Sequence, residues 1–336
     1  MNHSFANPLI EQRDFIAGKS AIWLKEKQVF TVEGEDRLTW LNDLFSQKLD
    51  SLEAGASVEA LWLDPQGRIV RDFHIVDDGA RAWLITFSAG YPELLTQLQR
   101  MVFRAKVVIA DRSAEYNIVA TWNAPEANAT LTWLDPWPGI SSGGYQYSAD
   151  SKLSWNYLES LIPVLGFEDI WNHFSHAGTM VLDALRVAAH RPAGPNEIDE
   201  KSLPHEYDWL RTAVHLSKGC YRGQEAVAKI HNLGHPPRRM TFLHLDGSGH
   251  ALPETGDEVY LGEDLVGKIT TVGQHFEMGP IALAVVKRNT PADQVLTVYC
   301  LNSGERLSAH QELIVPASAG AVVDLGEFRA KRGKES

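Results

Sequence analysis

The pattern of apolar runs changes once, near Thr241, and that change constrains the fold more than any other feature of the chain. From there on, runs too short for helices recur between glycines and polar turns, at 241–245, 258–261, 265–272, 281–286, 295–300 and 312–315. Short runs at such close spacing predict a small all-β unit closed into a barrel. Upstream the pattern alternates. Residues 28–33, 58–64, 68–76, 80–87, 106–110 and 116–120 read as strands, while 36–47 and 91–103 carry apolar residues at helical spacing. Paired strands alternating with single helices predict an α+β fold, not a doubly wound parallel sheet. Residues 123–144, loosened by prolines and glycines, read as a long loop or boundary. Helices are expected after it at 151–161, 167–174 and 179–190, with a short one around 209–216. The expected division is an α+β region over 1–236, the barrel over 237–316 and a solvated tail over 317–336.

Charge narrows the function classes. Acidic residues number 43 and basic residues 31, a formal net charge of −12. A negative field repels phosphate backbones and argues against direct nucleic-acid binding. The N-terminal stretch lacks the basic-then-apolar order of a signal peptide, and no apolar run approaches the roughly 20 residues of a membrane span. The chain is therefore expected to be cytoplasmic and off the membrane; a monomer is expected, although nothing in these patterns fixes the oligomeric state. The two cysteines, Cys220 and Cys300, are too few for a disulfide framework or a structural zinc site. His231, His235, His244 and His250 mix a helix end, a loop and a strand, so no metal site is expected of them.

One segment concentrates chemistry: Lys218-Gly219-Cys220-Tyr221-Arg222-Gly223-Gln224-Glu225. Two glycines bracket a cysteine in a tight loop, and a helix is expected to begin near Gln224. A thiol just before a helix N-terminus, flanked by Lys218 and Arg222, is placed to favour its thiolate. The competing reading is a buried cysteine used as a small hydrophobe. The flanking charges and glycines make an awkward setting for that.

The octapeptide also resembles the signature of the YgfZ family of folate-binding proteins, K-G-C-Y-x-G-Q-E, at every fixed position. Ile198-Asp199, Leu203-Pro204-His205-Glu206, Arg238-Arg239, Gly267-Lys268-Ile269-Thr270 and Ile281-Ala282-Leu283-Ala284-Val285-Val286 fit the same family. Val32-Glu33-Gly34-Glu35-Asp36 and Leu61-Trp62-Leu63-Asp64-Pro65-Gln66-Gly67 fit the wider family that includes the glycine-cleavage aminomethyltransferase. The resemblance runs over residues 18–315. It implies an aminomethyltransferase-like fold, with two α+β units and a C-terminal barrel around a folate channel. The implied cofactor is tetrahydrofolate or a one-carbon derivative. The implied role, carried by Cys220, lies in assembly or repair of iron–sulfur proteins, with effects on tRNA modification. Iron–sulfur proteins or their assembly factors would be its partners.

Carried over residue by residue, the resemblance makes Glu206, in Pro204-His205-Glu206, the acid that grips the pterin. Asp72 is the retained member of an acidic pair near the reacting folate nitrogen, with Arg71 in place of the other. Ala188 stands where the transferases have a further acid, so aminomethyl or one-carbon transfer is the alternative function and is disfavoured. Arg239 suits the carboxylates of a folate glutamate tail and Trp209 suits stacking on a pterin ring. For each of these a structural role competes. Cys220 is expected to be solvent-reachable and open toward the channel, and Cys300 inert.

Overall fold

A computed structural model describes residues 3–149, 154–247 and 252–322. The chain opens with α1 (Pro8–Ile16) and β1 (Ser20–Trp23). A first unit follows: β2 (Lys27–Glu33), α2 (Arg37–Leu44), β3 (Ser57–Leu63), β4 (Ile69–Asp77), β5 (Arg81–Phe87), α3 (Tyr91–Met101) and β6 (Val108–Asp111). Its sheet has the order β3-β4-β5-β2-β6. Val32, Leu41, Phe73, Leu94 and Leu98 bury the inner faces of α2 and α3 against that sheet.

The second unit contains β7 (Tyr116–Trp122), β8 (Leu131–Leu134), β9 (Tyr157–Pro163), α4 (Phe167–Trp171), β10 (Ser175–His176) and α5 (Thr179–Ala188). Its sheet runs β10-β1-β7-β9-β8. Strand β1 thus belongs to the second sheet, although the whole first unit separates it from β7. After a 3-10 turn at Pro204–Tyr207 and α6 (Gln224–Leu233) come β11 (Arg238–Leu245), β12 (Glu258–Leu261), β13 (Asp264–His275), β14 (Gly279–Lys287), β15 (Leu296–Tyr299) and β16 (Arg306–Leu313). These six close into a barrel in the order β11-β14-β13-β12-β15-β16, as the run of short apolar segments predicts. Leu243, Val259, Ile269, Ala284 and Val298 fill its interior. The fold is α+β with a C-terminal barrel.

Three expectations of local structure are corrected. The helix expected at 151–161 is instead strand β9, with 151–153 outside the described residues. Leu158, Leu161 and Ile162 mimic helical spacing, but β9 lies between β7 and β8 and its backbone groups pair on both sides. The segment expected as a helix at 209–216 is a buried run of turns, and the last barrel strand sits earlier than 312–315. Of the tail, residues 323–336 lie outside the described residues.

The barrel is bound tightly to the rest. A Cβ at Gly273 on β13 would stand 2.5 Å from the Ala184 Cα, so only glycine lets α5 approach this strand. Arg238, at the start of β11, holds Asp199 through two hydrogen bonds of 2.7 and 3.0 Å and Glu206 through two of 3.0 and 2.7 Å.

Candidate functional site

The cysteine loop is shaped by its glycine and its lysine. Gly223 has φ +86°, and a Cβ there would meet the Asp64 carbonyl oxygen at 2.5 Å. The loop therefore seats directly on the turn between β3 and β4, and α6 begins at once afterwards. Gln224 Nε2 donates to the Lys218 carbonyl at 3.2 Å and closes the loop. Tyr221 is buried in the main core. Cys220 and Arg222 are left exposed on the outer side, as are Gly219 and Glu225. The second thiol, Cys300, is buried, and burial with Asp257 nearby pushes it up from its ordinary value.

The Lys218 ammonium is directed to backbone carbonyls. It is buried and donates to the carbonyls of Asn42, Phe45 (2.6 Å) and Gln47 (2.9 Å) at the C-terminal end of α2. Those carbonyls have no partner within the helix, and a cation is favoured there. The Lys218 Nζ also lies 4.9 Å from the centre of the Tyr221 ring.

A cavity of about 320 Å³ opens between the two α+β units. That is at the lower end of the range of small-molecule sites, about 300–1,000 Å³. Cys220 is not among its lining residues, so the thiol and the cavity are separate features. Ser88, Pro195 and Asn196 stand at the exposed mouth, and Phe87, Trp155, Tyr157 and Leu182 supply apolar surface. The inner wall is ionic. Lys27 pairs with Glu159 Oε1, His74 Nδ1 lies 2.9 Å from Glu159 Oε2, and Tyr157 donates to Oε1 at 2.7 Å. The His74 ring stacks on Trp133 at 3.7 Å. Burial pushes the Glu159 carboxyl up, but His74 and Lys27 outweigh it and hold it well below the usual carboxylate range. Beside it Arg191 joins Glu59 (2.7 Å) and Asp135 (3.0 Å). Arg186 joins Glu197 (3.0 Å) and Thr271 on the barrel (2.7 Å).

No family model matches the chain. It is 26% identical over 257 residues to a mitochondrial iron–sulfur cluster assembly factor IBA57 homolog of Mycosarcoma maydis, covering 69% of this chain and 58% of that one. It is 26% identical over 286 residues to the tRNA-modifying protein YgfZ of Edwardsiella ictaluri, covering 80% and 84%. The crystal structure of the glycine cleavage system aminomethyltransferase T from Bartonella henselae superposes with a TM-score of 0.71 at 15% identity, over 96% of each chain. The chain is similar in sequence to IBA57 and YgfZ proteins, and its fold is aminomethyltransferase-like. It spans less than two thirds of the IBA57 relative's own length.

Within this aminomethyltransferase-like fold, several carried-over residues sit elsewhere than the resemblance implies. Glu206 is buried outside the cavity lining, and both its oxygens are taken by Arg238. Burial pushes its carboxyl up and Arg238 pulls it down. Asp72 lies behind the lining, where the Gly194 N–H donates to Oδ2 at 3.2 Å. Arg71 turns from Asp72 to donate to the carbonyls of Phe87 and Ala89. Trp209 is a core residue whose indole N–H donates to Glu59 at 2.9 Å. Arg239 is buried at the end of the barrel, on the Thr290 carbonyl and Gln311. Among the histidines, His231 meets the Tyr147 hydroxyl, His235 the Ala319 carbonyl and His244 Glu312, while His250 lies outside the described residues. No helix among the described residues is long and apolar enough to cross a membrane.

Sequence reasoning missed the inner wall. Lys27, His74 and Glu159 come from three strands, and Glu159 sits in the segment misread as a helix. Arg191 and Asp135 fall in stretches that read only as irregular.

Proposed function

We propose that this chain binds a reduced folate in the cavity between its two α+β units and acts through Cys220 as an accessory factor for iron–sulfur protein assembly or repair, with effects on tRNA modification. The observation that carries the reading is the presentation of Cys220. The signature loop is fastened through Lys218, Tyr221 and Gly223, and between those anchors Cys220 is left exposed. A rigidly presented, accessible thiol suits contact with a partner protein, a metal or a sulfur donor. The names of the IBA57 and YgfZ relatives point the same way.

The cavity residues fit a folate. Flat apolar faces at Phe87 and Trp155 suit a fused ring, and carboxylates at Glu26 and Asp183 suit its N–H donors. Bound there, the folate would supply one-carbon chemistry or a structural ligand. This chain's own part is to exclude water and orient the ring. Transfer chemistry is the second reading, and the retained acid Asp72 argues against it, since its carboxylate is closed off by Gly194.

The test is complementation of a deletion strain under oxidative stress, reading the activities of several iron–sulfur enzymes. Wild-type protein is expected to restore them and Cys220→Ala to fail at equal protein level. Full restoration by Cys220→Ala overturns the role of the thiol.

A further inference from the structure

We infer that Asp183 is the acid that anchors the cavity's ligand, accepting two adjacent N–H donors such as those of an aminopyrimidinone ring. The inference rests on the folate reading above and assigns the recognition to one residue.

Helix α5 turns Thr179, Leu182, Asp183 and Arg186 toward the cavity. They follow the i, i+3, i+4, i+7 spacing of a single helix face. Ala188, where the transferases have an acid, is off this face and 3% exposed. The deep carboxylates are already saturated. Glu159 holds Lys27, His74 and Tyr157. Asp135 accepts from Arg191, the Trp155 indole at 2.8 Å and the Trp137 backbone at 3.0 Å.

Asp183 differs. Among the described residues its one ion-pair partner is Arg186, at 3.6 Å. The nearer hydrogen bonds of that guanidinium go to Glu197, the Arg191 carbonyl and Thr271. The Asp183 side chain is 17% exposed, and it lines the cavity. Burial pushes its carboxyl up, Arg186 pulls it down and Glu197 pushes it up again. A desolvated carboxylate with oxygen lone pairs facing a cavity is completed by donors arriving side by side. Leu182 beside it offers an apolar edge to the same ring. A phosphate or carboxylate group of a ligand would be repelled by the Asp183 carboxylate itself, so a donor-rich part of the ligand faces that side chain.

Tetrahydrofolate and its analogue lacking the 2-amino group are titrated calorimetrically against wild type, Asp183→Asn, Asp183→Ser and Glu26→Gln, with folding checked by thermal unfolding. In wild type the analogue is expected to bind about 10–100-fold more weakly than tetrahydrofolate. Asp183→Asn should lose about as much for tetrahydrofolate and no longer distinguish the two ligands. Asp183→Ser reports the same if the asparagine variant does not fold. Wild-type binding with undiminished affinity and discrimination in a folded Asp183 variant overturns this inference and leaves the folate reading standing. So does loss of discrimination only in Glu26→Gln. Absence of saturable folate binding by wild type overturns both.

Discussion

Lys218 lies two residues from Cys220, yet its ammonium answers the carbonyls of Asn42, Phe45 and Gln47. Buried carbonyls without donors cost about 1–3 kcal/mol each, which exceeds the few tenths a cation gains beside an exposed thiol. The signature lysine is thus a clamp between two distant loops. What distinguishes Cys220 is access, and access predicts its chemistry. Iodoacetamide labelling followed by mass spectrometry is expected to modify Cys220 at least ~10-fold faster than Cys300 in the folded protein, with the two rates converging in denaturant. Equal rates in the folded state would remove Cys220 from the mechanism. The loop was legible because its glycines, charges and cysteine are contiguous. The destination of its lysine was not, because Asn42 and Gln47 give no sign in sequence of being helix-end acceptors for a residue so far away. Glu206 shows the same limit: a motif places it on the chain, but nothing local reveals that Arg238 occupies both its oxygens.

At the scale of elements, β9 departs furthest from its sequence pattern. Its pairing with β7 and β8 overrides a helical spacing, and the strand brings Glu159 to the cavity. The inner wall joins β2, β4 and β9, so no single stretch of sequence displays it. Removing the Glu159 charge leaves Lys27 buried and unpaired. Glu159→Gln is expected to cost about 3–5 kcal/mol in urea unfolding, and the double variant with Lys27→Met clearly less than the sum of the two singles. The sign of the pH dependence follows from the depressed carboxyl. The unfolded chain takes up its proton near the usual value of about 4.3, before the folded chain does. Stability contributed by Glu159 is therefore complete above that pH and declines as the pH falls below it. Wild type should lose stability more steeply than Glu159→Gln under acid; parallel curves would contradict the assignment.

On the scale of the whole molecule, the barrel was the most readable part, since its strands are short, local and punctuated by turns. Its attachment was not readable, because Arg238 acts through Asp199 and Glu206 at once. Arg238→Ala strands a fully buried carboxylate and should destabilise the protein by about 3–5 kcal/mol. A calorimetric scan is expected to split into two transitions as the barrel separates. A single transition at an unchanged midpoint would mean that Arg238 does not hold the barrel to the rest. The strand order carries one more consequence, for biosynthesis. Ser20 pairs with Ser175 and Ile22 with Ala120, so β1 leaves the ribosome long before either neighbour exists. The first unit can complete its sheet while β1 waits with Ala21 and Ile22, later fully buried, still bare. At about 5–20 residues per second the roughly 100 residues to the end of β7 take on the order of five to twenty seconds, an interval in which an unpaired apolar strand is open to aggregation.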